Sequence, residues 1–177
     1  MRAEDLRRRM GHLPDGLLRH IDRVVGEALV LAEAHGLDAD HVALAAQGHD
    51  LARATPPDQL LRLALELGLN VSDVDRADPI LLHGPVGAEL LAREYGIEEP
   101  GVLRAARYHT TSYPGLGSLE SVVFLADKLE PDKLRRDDAL RPVRERALAD
   151  LDDGVRAMVD LLTKRAVERG WALHPWL

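Results

Sequence analysis

The sequence predicts an all-α protein, a bundle of seven or eight helices, and three observations lead to this fold class. Only 3% of the 177 residues are aromatic although 46% are hydrophobic, so the core must consist mainly of Leu, Ala and Val. Leu and Ala favour helices, whereas the β-branched and aromatic residues that fill sheets are scarce. Apolar residues also recur at steps of three and four, the spacing of one helix face. An all-β fold is therefore close to excluded.

Caps, glycines and prolines delimit the helices of the first half. Gly36 supplies a C-terminal stop, Asp38 can cap the helix that follows, and Pro57 can begin another one. The expected helices cover residues 3–10, 16–35, 39–52 and 57–67, and a polar loop or weak turn follows at residues 68–76.

The second half continues the alternation of helices and short breaks. Pro85 cannot donate to the carbonyl of Leu81, so we expect a kink or a late start in the helix that contains both. Pro100 begins the next helix, and Pro131 ends the one after it. The expected helices cover residues 79–95, 100–108, 119–129 and 143–169, with a polar loop at residues 110–117.

This pattern predicts one core at residues 1–140 and a C-terminal amphipathic helix within residues 141–177. The apolar stripe of that helix is formed by Val143, Ala147, Leu151, Val155, Met158, Leu162 and Ala166. Such a stripe can pack on the core or lie at an oligomer interface, as in a homodimer. The sequence leaves both arrangements open.

Charge and composition exclude several classes of function. The formal net charge is -7, which disfavours nucleic-acid binding because nucleic-acid binders usually carry a basic excess. The absence of cysteine excludes disulfides, thiolate zinc sites and cysteine nucleophiles. No apolar run approaches the roughly 18–20 residues that span a bilayer, and the N-terminus lacks the apolar segment of a signal peptide. We therefore expect a cytoplasmic protein with no membrane contact.

Four of the eight histidines and two aspartates stand in apolar helical surroundings. The six are His20, His49, Asp50, His83, His109 and Asp127, whereas His12, His35, His41 and His174 have the pattern of surface or satisfied residues. Burying six such groups is tolerable only if they share partners, and a metal cluster is the most economical partner. Imidazole with carboxylate suits iron, manganese, zinc, cobalt or nickel. A polar bundle core or a set of helix caps is the alternative.

The consecutive pair His49-Asp50 places a condition on the backbone. Adjacent side chains of a regular helix diverge by about 100°, so both can reach one site only where the helix bends or ends, and Gly48 makes a bend plausible. A carboxylate has two oxygens, so Asp50 can bridge two metal ions while His49 binds one. Two metals about 3.5–4 Å apart can share a hydroxide and hold a phosphoryl oxygen.

The order of these motifs resembles a known family. His20, the HD pair and Asp127 follow the pattern of the HD-domain metal-dependent phosphohydrolases, and the segments LLHGPVGA, YHTT and ADKLEP resemble the YqeK-type branch of symmetrical dinucleoside-tetraphosphate hydrolases. The resemblance covers roughly residues 17–135. The fold that it implies is an HD-domain helical bundle.

The resemblance also implies an active site and a reaction. A first metal would be held by His20, His49, Asp50 and Asp127, and a second by Asp50, His83 and His109. Members of this branch are associated with a di-iron centre, so the resemblance implies two iron ions. Manganese, cobalt, nickel and zinc are the alternatives. The implied reaction is the cleavage of diadenosine tetraphosphate into two ADP by a hydroxide held between the metals, with His49 and Asp50 as catalytic residues.

Weaker candidates surround this set. Arg53, Thr110 and Thr111 are candidates for binding the phosphates of the nucleotide substrate, although Arg53 stands where the branch has Lys. Lys128 is expected to be a solvated lysine, with neutralisation of phosphate beside Asp127 as the alternative, and Glu130 is expected to be a surface residue at a helix end. The branch has Gly where this chain has Ser112, and Arg where it has Leu17. Two other functions remain open: hydrolysis of another nucleotide, such as a nucleoside monophosphate or a guanosine polyphosphate, or a helical module that senses a nucleotide without catalysis.

Overall fold

The computed structural model describes residues 1–176, and within them every regular element is helical. The all-α prediction is confirmed, with more helices than expected. The α-helices are α1 Ala3–Arg9, α2 Asp15–His35, α3 Ala39–Gly48, α4 Pro57–Glu66, α5 Asp73–Ala77, α6 His83–Tyr95, α7 Pro100–Tyr108, α8 Ser118–Leu129, α9 Pro131–Arg136, α10 Arg141–Ala149 and α11 Leu151–Arg169. Short 3-10 helices occupy Pro79–Leu82 and Asp138–Leu140. None of the described helices is both long and apolar enough to cross a bilayer.

The core lies where α2, α3, α7 and α8 pack against one another. Helix α8 is buried on nearly all sides, and Phe124 is the largest side chain in its interior. Helix α2 contributes an apolar stripe that includes Ile21, Val24 and Leu31. A smaller apolar cluster joins α4 to the start of α6 through Leu60 and Leu82. These two clusters fix the helix ends that carry the polar residues of interest.

Three short elements lie outside the expected helices: α5, α9 and the 3-10 helix Asp138–Leu140. Residues 73–77, within the segment expected to be a polar loop or weak turn, form a short helix because Ser72 and Asp75 form a reciprocal capping box. Pro131 ends α8 and also begins α9, since the side chain of Glu130 accepts a hydrogen bond from the amide of Asp132 at 2.9 Å. The late start expected around Pro85 is present, because a 3-10 turn precedes the first residue of α6.

The prediction of a single C-terminal helix over residues 143–169 is wrong, because two helices, α10 and α11, occupy this segment. Asp150 has an extended backbone (φ -154°, ψ 120°) and its side chain caps α11 through the amide of Asp153. The resulting helices α10 and α11 pack so closely that a Cβ on Gly154 would lie 2.6 Å from the Cβ of Ala147. Glycine at position 154 permits this approach. Arg144 of α10 ties this hairpin to Glu27 of α2 at 2.6 Å. The helical spacing of apolar residues continues across Asp150, so the sequence pattern gives no sign that the helix is interrupted there.

Candidate metal centre

The six residues singled out by the sequence converge at one end of the bundle, and most of them lie at helix ends. His20 belongs to α2, His49 and Asp50 follow α3, His83 begins α6, His109 follows α7, and Asp127 lies in the last turn of α8. Helix α3 ends at Gly48 rather than at residue 52. A Cβ on Gly48 would lie 2.9 Å from the side chain of Leu91. The early end lets the two neighbouring side chains of the HD pair reach the same place.

Three of the four histidines are oriented by the same local contact. In each, Nδ1 donates to the carbonyl of the residue three positions earlier: His49 to Ala46 at 2.7 Å, His83 to Ile80 at 2.5 Å, and His109 to Ala106 at 2.8 Å. A carbonyl oxygen can only accept, so Nδ1 carries a proton, and in the neutral ring Nε2 then has its lone pair toward the site. This is the orientation that a metal-binding imidazole requires.

Asp50 lies between two sets of histidines. Its Oδ2 is 3.6 Å from Nε2 of His20 and 3.5 Å from Nε2 of His49, whereas its Oδ1 is 3.1 Å from Nε2 of His83 and 3.3 Å from Nε2 of His109. The two carboxylate oxygens thus face different partners. We call His20, His49, Asp50 and Asp127 the first half-site, and Asp50, His83 and His109 the second half-site.

The donor atoms fit divalent cations. His49 Nε2 is fully buried and has no hydrogen-bond partner among the described residues. Nε2 of His83 and Nε2 of His109 lie 3.0 Å apart, which places two lone pairs against each other when both rings are neutral. Buried acceptors without a donor or a cation are costly. Imidazole and carboxylate are ligands that divalent transition metals accept.

The electrostatics hold these groups in the protonation states of metal ligands. Burial alone would raise the pKa of Asp50, but the imidazoles of His49, His109 and His83 hold it well below its ordinary value. Burial lowers the pKa of His49, and it lowers the pKa of His109 to about 4. The carboxylate is therefore ionised and these two imidazoles are neutral near pH 7.

Asp127 is flanked by two lysines. Nζ of Lys133 lies 2.8 Å from Oδ1 of Asp127, and Nζ of Lys128 lies 3.3 Å from Oδ2. Burial would raise the pKa of Asp127, yet Lys128, the hydrogen bond from His20 and Lys133 hold it well below its ordinary value. The expectation of a solvated Lys128 is wrong, because only 13% of its side chain is exposed and it donates to the carbonyl of His109 at 2.5 Å.

Glu130 is a second residue near the centre that the sequence assigns to the surface and the structure buries. It is only 2% exposed, and its Oε2 accepts from Nε of Arg23 at 2.7 Å. Its Oε1 lies 3.7 Å from Nδ1 of His20, the one histidine of the set whose Nδ1 has no carbonyl partner among residues 1–176. The signal that could have found it is the position directly before Pro131, where an acidic residue caps a new helix.

Comparisons with known proteins show which family the chain belongs to. The model of the HD domain matches residues 17–132. The chain belongs to the HD-domain family. It is 35% identical over 153 residues to the symmetrical bis(5'-nucleosyl)-tetraphosphatase of Halalkalibacterium halodurans, an alignment that covers 86% of this chain and 80% of the relative. The protein of the same name from Bacillus subtilis is 36% identical over 114 residues, covering 64% of this chain and 61% of that relative.

A solved structure extends the likeness to nearly the whole described fold. It is described as a predicted HD superfamily hydrolase involved in NAD metabolism from Clostridium acetobutylicum, with a TM-score of 0.89 and 27% sequence identity. The superposition covers 97% of this chain and 90% of that one. The C-terminal hairpin therefore belongs to an arrangement shared with at least one other HD-domain protein.

A cavity of about 500 Å³ opens over both half-sites of this HD domain. Arg53 and Lys133 line it beside the ligands, and Oγ1 of Thr110 lies 2.9 Å from Nε2 of His109. Thr111, the third substrate candidate, lies elsewhere: its buried hydroxyl donates to the carbonyl of Ser112 at 3.2 Å, and it lines a separate cavity. The structure thus brings two of the three phosphate-binding candidates to the site.

Proposed function

We propose that this HD-domain hydrolase cleaves diadenosine tetraphosphate symmetrically into two ADP at a two-metal site. The observation that carries the proposal is the position of Asp50, whose two carboxylate oxygens face separate sets of histidines. The names of the relatives from H. halodurans and B. subtilis supply the substrate. A carboxylate shared by two cations is a feature of sites that hydrolyse phosphate esters and anhydrides.

The two half-sites would each hold one divalent cation, with Asp50 as the shared ligand. When bound, such cations supply Lewis acidity, which lowers the pKa of a water and neutralises phosphate charge. The protein contributes the geometry in advance: Nε2 of His49 and Nε2 of His109 keep their lone pairs at neutral pH, because burial lowers the pKa of both rings. The ligands therefore need no deprotonation before they bind.

Three other side chains would act on the phosphates. Arg53 is exposed at the rim of the cavity and can pair with a phosphate through its guanidinium fork. The hydroxyl of Thr110 can donate to a phosphate oxygen next to the second half-site. Lys133 keeps its ammonium group at the cavity wall through Asp127, so it adds positive charge where the phosphate chain must pass.

Product analysis tests the reaction directly. Protein loaded with iron or manganese is incubated with diadenosine tetraphosphate, and nucleotides are separated by chromatography. Two ADP per substrate are expected. ATP with AMP would overturn symmetrical cleavage, and no turnover with any divalent metal, while other nucleotides are hydrolysed, would overturn the substrate.

We also propose iron as the native metal, because the resemblance to the YqeK-type branch implies a di-iron centre; the ligands themselves suit manganese, zinc, cobalt and nickel equally well. Elemental analysis of protein purified without added metal tests this choice. The homodimer and the cytoplasmic location expected from the sequence stay predictions, which light scattering and cell fractionation test.

A further inference from the structure

A second cavity adjoins the one over the metal centre. It has a volume of about 290 Å³ and lies between the end of α8, helix α9 and helix α11. Lys133 lines both cavities, so the two lie on either side of one side chain. This volume is close to the lower end of the range of about 300–1,000 Å³ that is usual for small-ligand sites.

The walls of the second cavity are cationic. Lys128, Lys133, Arg136 and Arg165 line it together with one carboxylate, Asp137, and the two lysines share a second carboxylate, Asp127, beside the cavity. Asp137 is already paired with Arg165 at 2.6 Å. Arg136 is exposed and forms no ion pair with any residue in the described part of the chain. In a protein with a net charge of -7, this is a local excess of positive charge beside the metal centre.

The remaining wall is apolar. Leu140 and Met158 are buried in the core beneath it, and Leu162 of α11 lies at its side. A ligand that suits this cavity therefore carries negative charge at one end and a flat apolar group at the other. One half of a dinucleoside polyphosphate, with its phosphates and its base, has this chemistry.

We propose that the second cavity binds the second nucleoside half of the substrate, an inference that rests on the proposed function. Symmetrical cleavage breaks the central phosphoanhydride of four phosphates, so one half of the substrate must extend to each side of the metals. The cavity over the half-sites receives one half. The other half passes over Lys133, pairs a phosphate with Arg136, and places its base against Met158 and Leu162.

Steady-state kinetics of Arg136→Ala test the inference. Removing a charge-assisted hydrogen bond should raise KM for diadenosine tetraphosphate about tenfold and leave kcat nearly unchanged. Arg135→Ala is the matched control, because Arg135 is exposed on the same helix, pairs with Asp132 and does not line the cavity. Its KM should stay within about twofold of the wild-type value, as is usual for surface substitutions.

A second substrate and a second variant separate this subsite from a general effect of charge. Adenosine tetraphosphate lacks the second nucleoside, so Leu162→Trp, which fills the cavity, should raise KM for the dinucleotide and not for the mononucleotide. Metal content and Tm are measured for each variant. Unchanged KM values in both Arg136→Ala and Leu162→Trp would overturn the subsite.

Failure of the proposed function gives a different result. If the wild-type protein does not turn over diadenosine tetraphosphate, the reaction assigned above is wrong. The subsite is then tested by the Kd of the same dinucleotide, measured calorimetrically on the metal-loaded wild type and the two variants. Equal Kd values in all three would reject it.

Discussion

The two half-sites share Asp50 but are built in different ways. The first half-site is an ionic network, in which Asp127 pairs with Lys128 and Lys133, and Glu130 stands behind His20. The second half-site has two imidazoles and a single carboxylate oxygen, and Thr110 is its polar neighbour. Electrostatic contacts therefore orient Asp127 and His20 of the first half-site, whereas the second half-site depends on the packing of two helix ends.

The packing that forms the second half-site centres on one glycine. A Cβ on Gly84 would lie 2.9 Å from the carbonyl oxygens of both Ala106 and Arg107. Gly84 follows His83 directly, and the two carbonyls precede His109. Backbone contact between α6 and α7 thus sets the distance between the two imidazoles. The two half-sites should accordingly respond to different substitutions.

Asp50→Asn should have the largest effect, because it removes the charge that both half-sites share. We expect the loss of both metals and a fall in kcat of about a thousandfold or more, as when a central catalytic group is removed. Elemental analysis and the product assay measure the two effects. Asp58→Asn, an exposed aspartate of α4, is the control and should change neither. One metal retained by the Asp50 variant would contradict the shared role.

Gly84→Ala should damage the second half-site selectively. The added methyl group meets backbone that cannot rotate away, so α6 must move from α7 at a cost of about 1–3 kcal/mol in unfolding free energy. We expect a lower Tm and the loss of about one metal equivalent. Gly26→Ala is the matched control, since a Cβ there meets nothing within 4 Å in an exposed turn of α2. Its unfolding free energy should rise by up to about 1 kcal/mol. Two metals bound in Gly84→Ala would show that the helix contact does not set the site.

Glu130→Gln should weaken the first half-site only. The substitution keeps the side-chain shape but removes the negative charge facing Nδ1 of His20, and loss of such a contact usually lowers metal affinity about 10–100-fold. Metal titration should show one weakened Kd and one unchanged Kd. Glu120→Gln is the control, because Glu120 is also buried and paired with an arginine, Arg104, away from the centre. Equal weakening in both variants would mean that Glu130 acts through stability alone.

The same contrast explains how much of the site was predictable. The six ligand candidates stood out because His and Asp occur among apolar residues, and a single sequence shows that directly. The sequence places Glu130 and Lys128 at the surface because their burial depends on distant partners: Glu130 contacts Arg23 and His20 of α2, and Lys128 donates to the carbonyl of His109. Thr111 was grouped with Thr110 by adjacency, yet successive side chains after a helix end point to different cavities.

The fold divides in a similar way. Helices delimited by Gly36, Pro57 and Pro100 were predicted to within a few residues, because the stop or start is a property of the residue itself. The α10–α11 hairpin was missed because Asp150 breaks the helix through an extended backbone and a cap, while the apolar spacing on both sides still matches one stripe. Periodicity reports which faces are buried and does not report where the chain reverses.

Ser112→Gly should have the smallest effect of these substitutions, and it should stabilise the protein rather than weaken the site. Ser112 has φ +61°, a left-handed conformation that glycine adopts without steric cost, and it lies three residues after His109. Relief of this strain should raise the unfolding free energy by about 1 kcal/mol, or Tm by about 2–4 °C for a chain of this size. Thermal unfolding measures the gain, and metal titration should show two unchanged Kd values. A lower Tm would show that the buried Ser112 side chain stabilises the loop more than its conformation costs. A change in Kd confined to the second half-site would instead show that the strain in this loop helps to position His109.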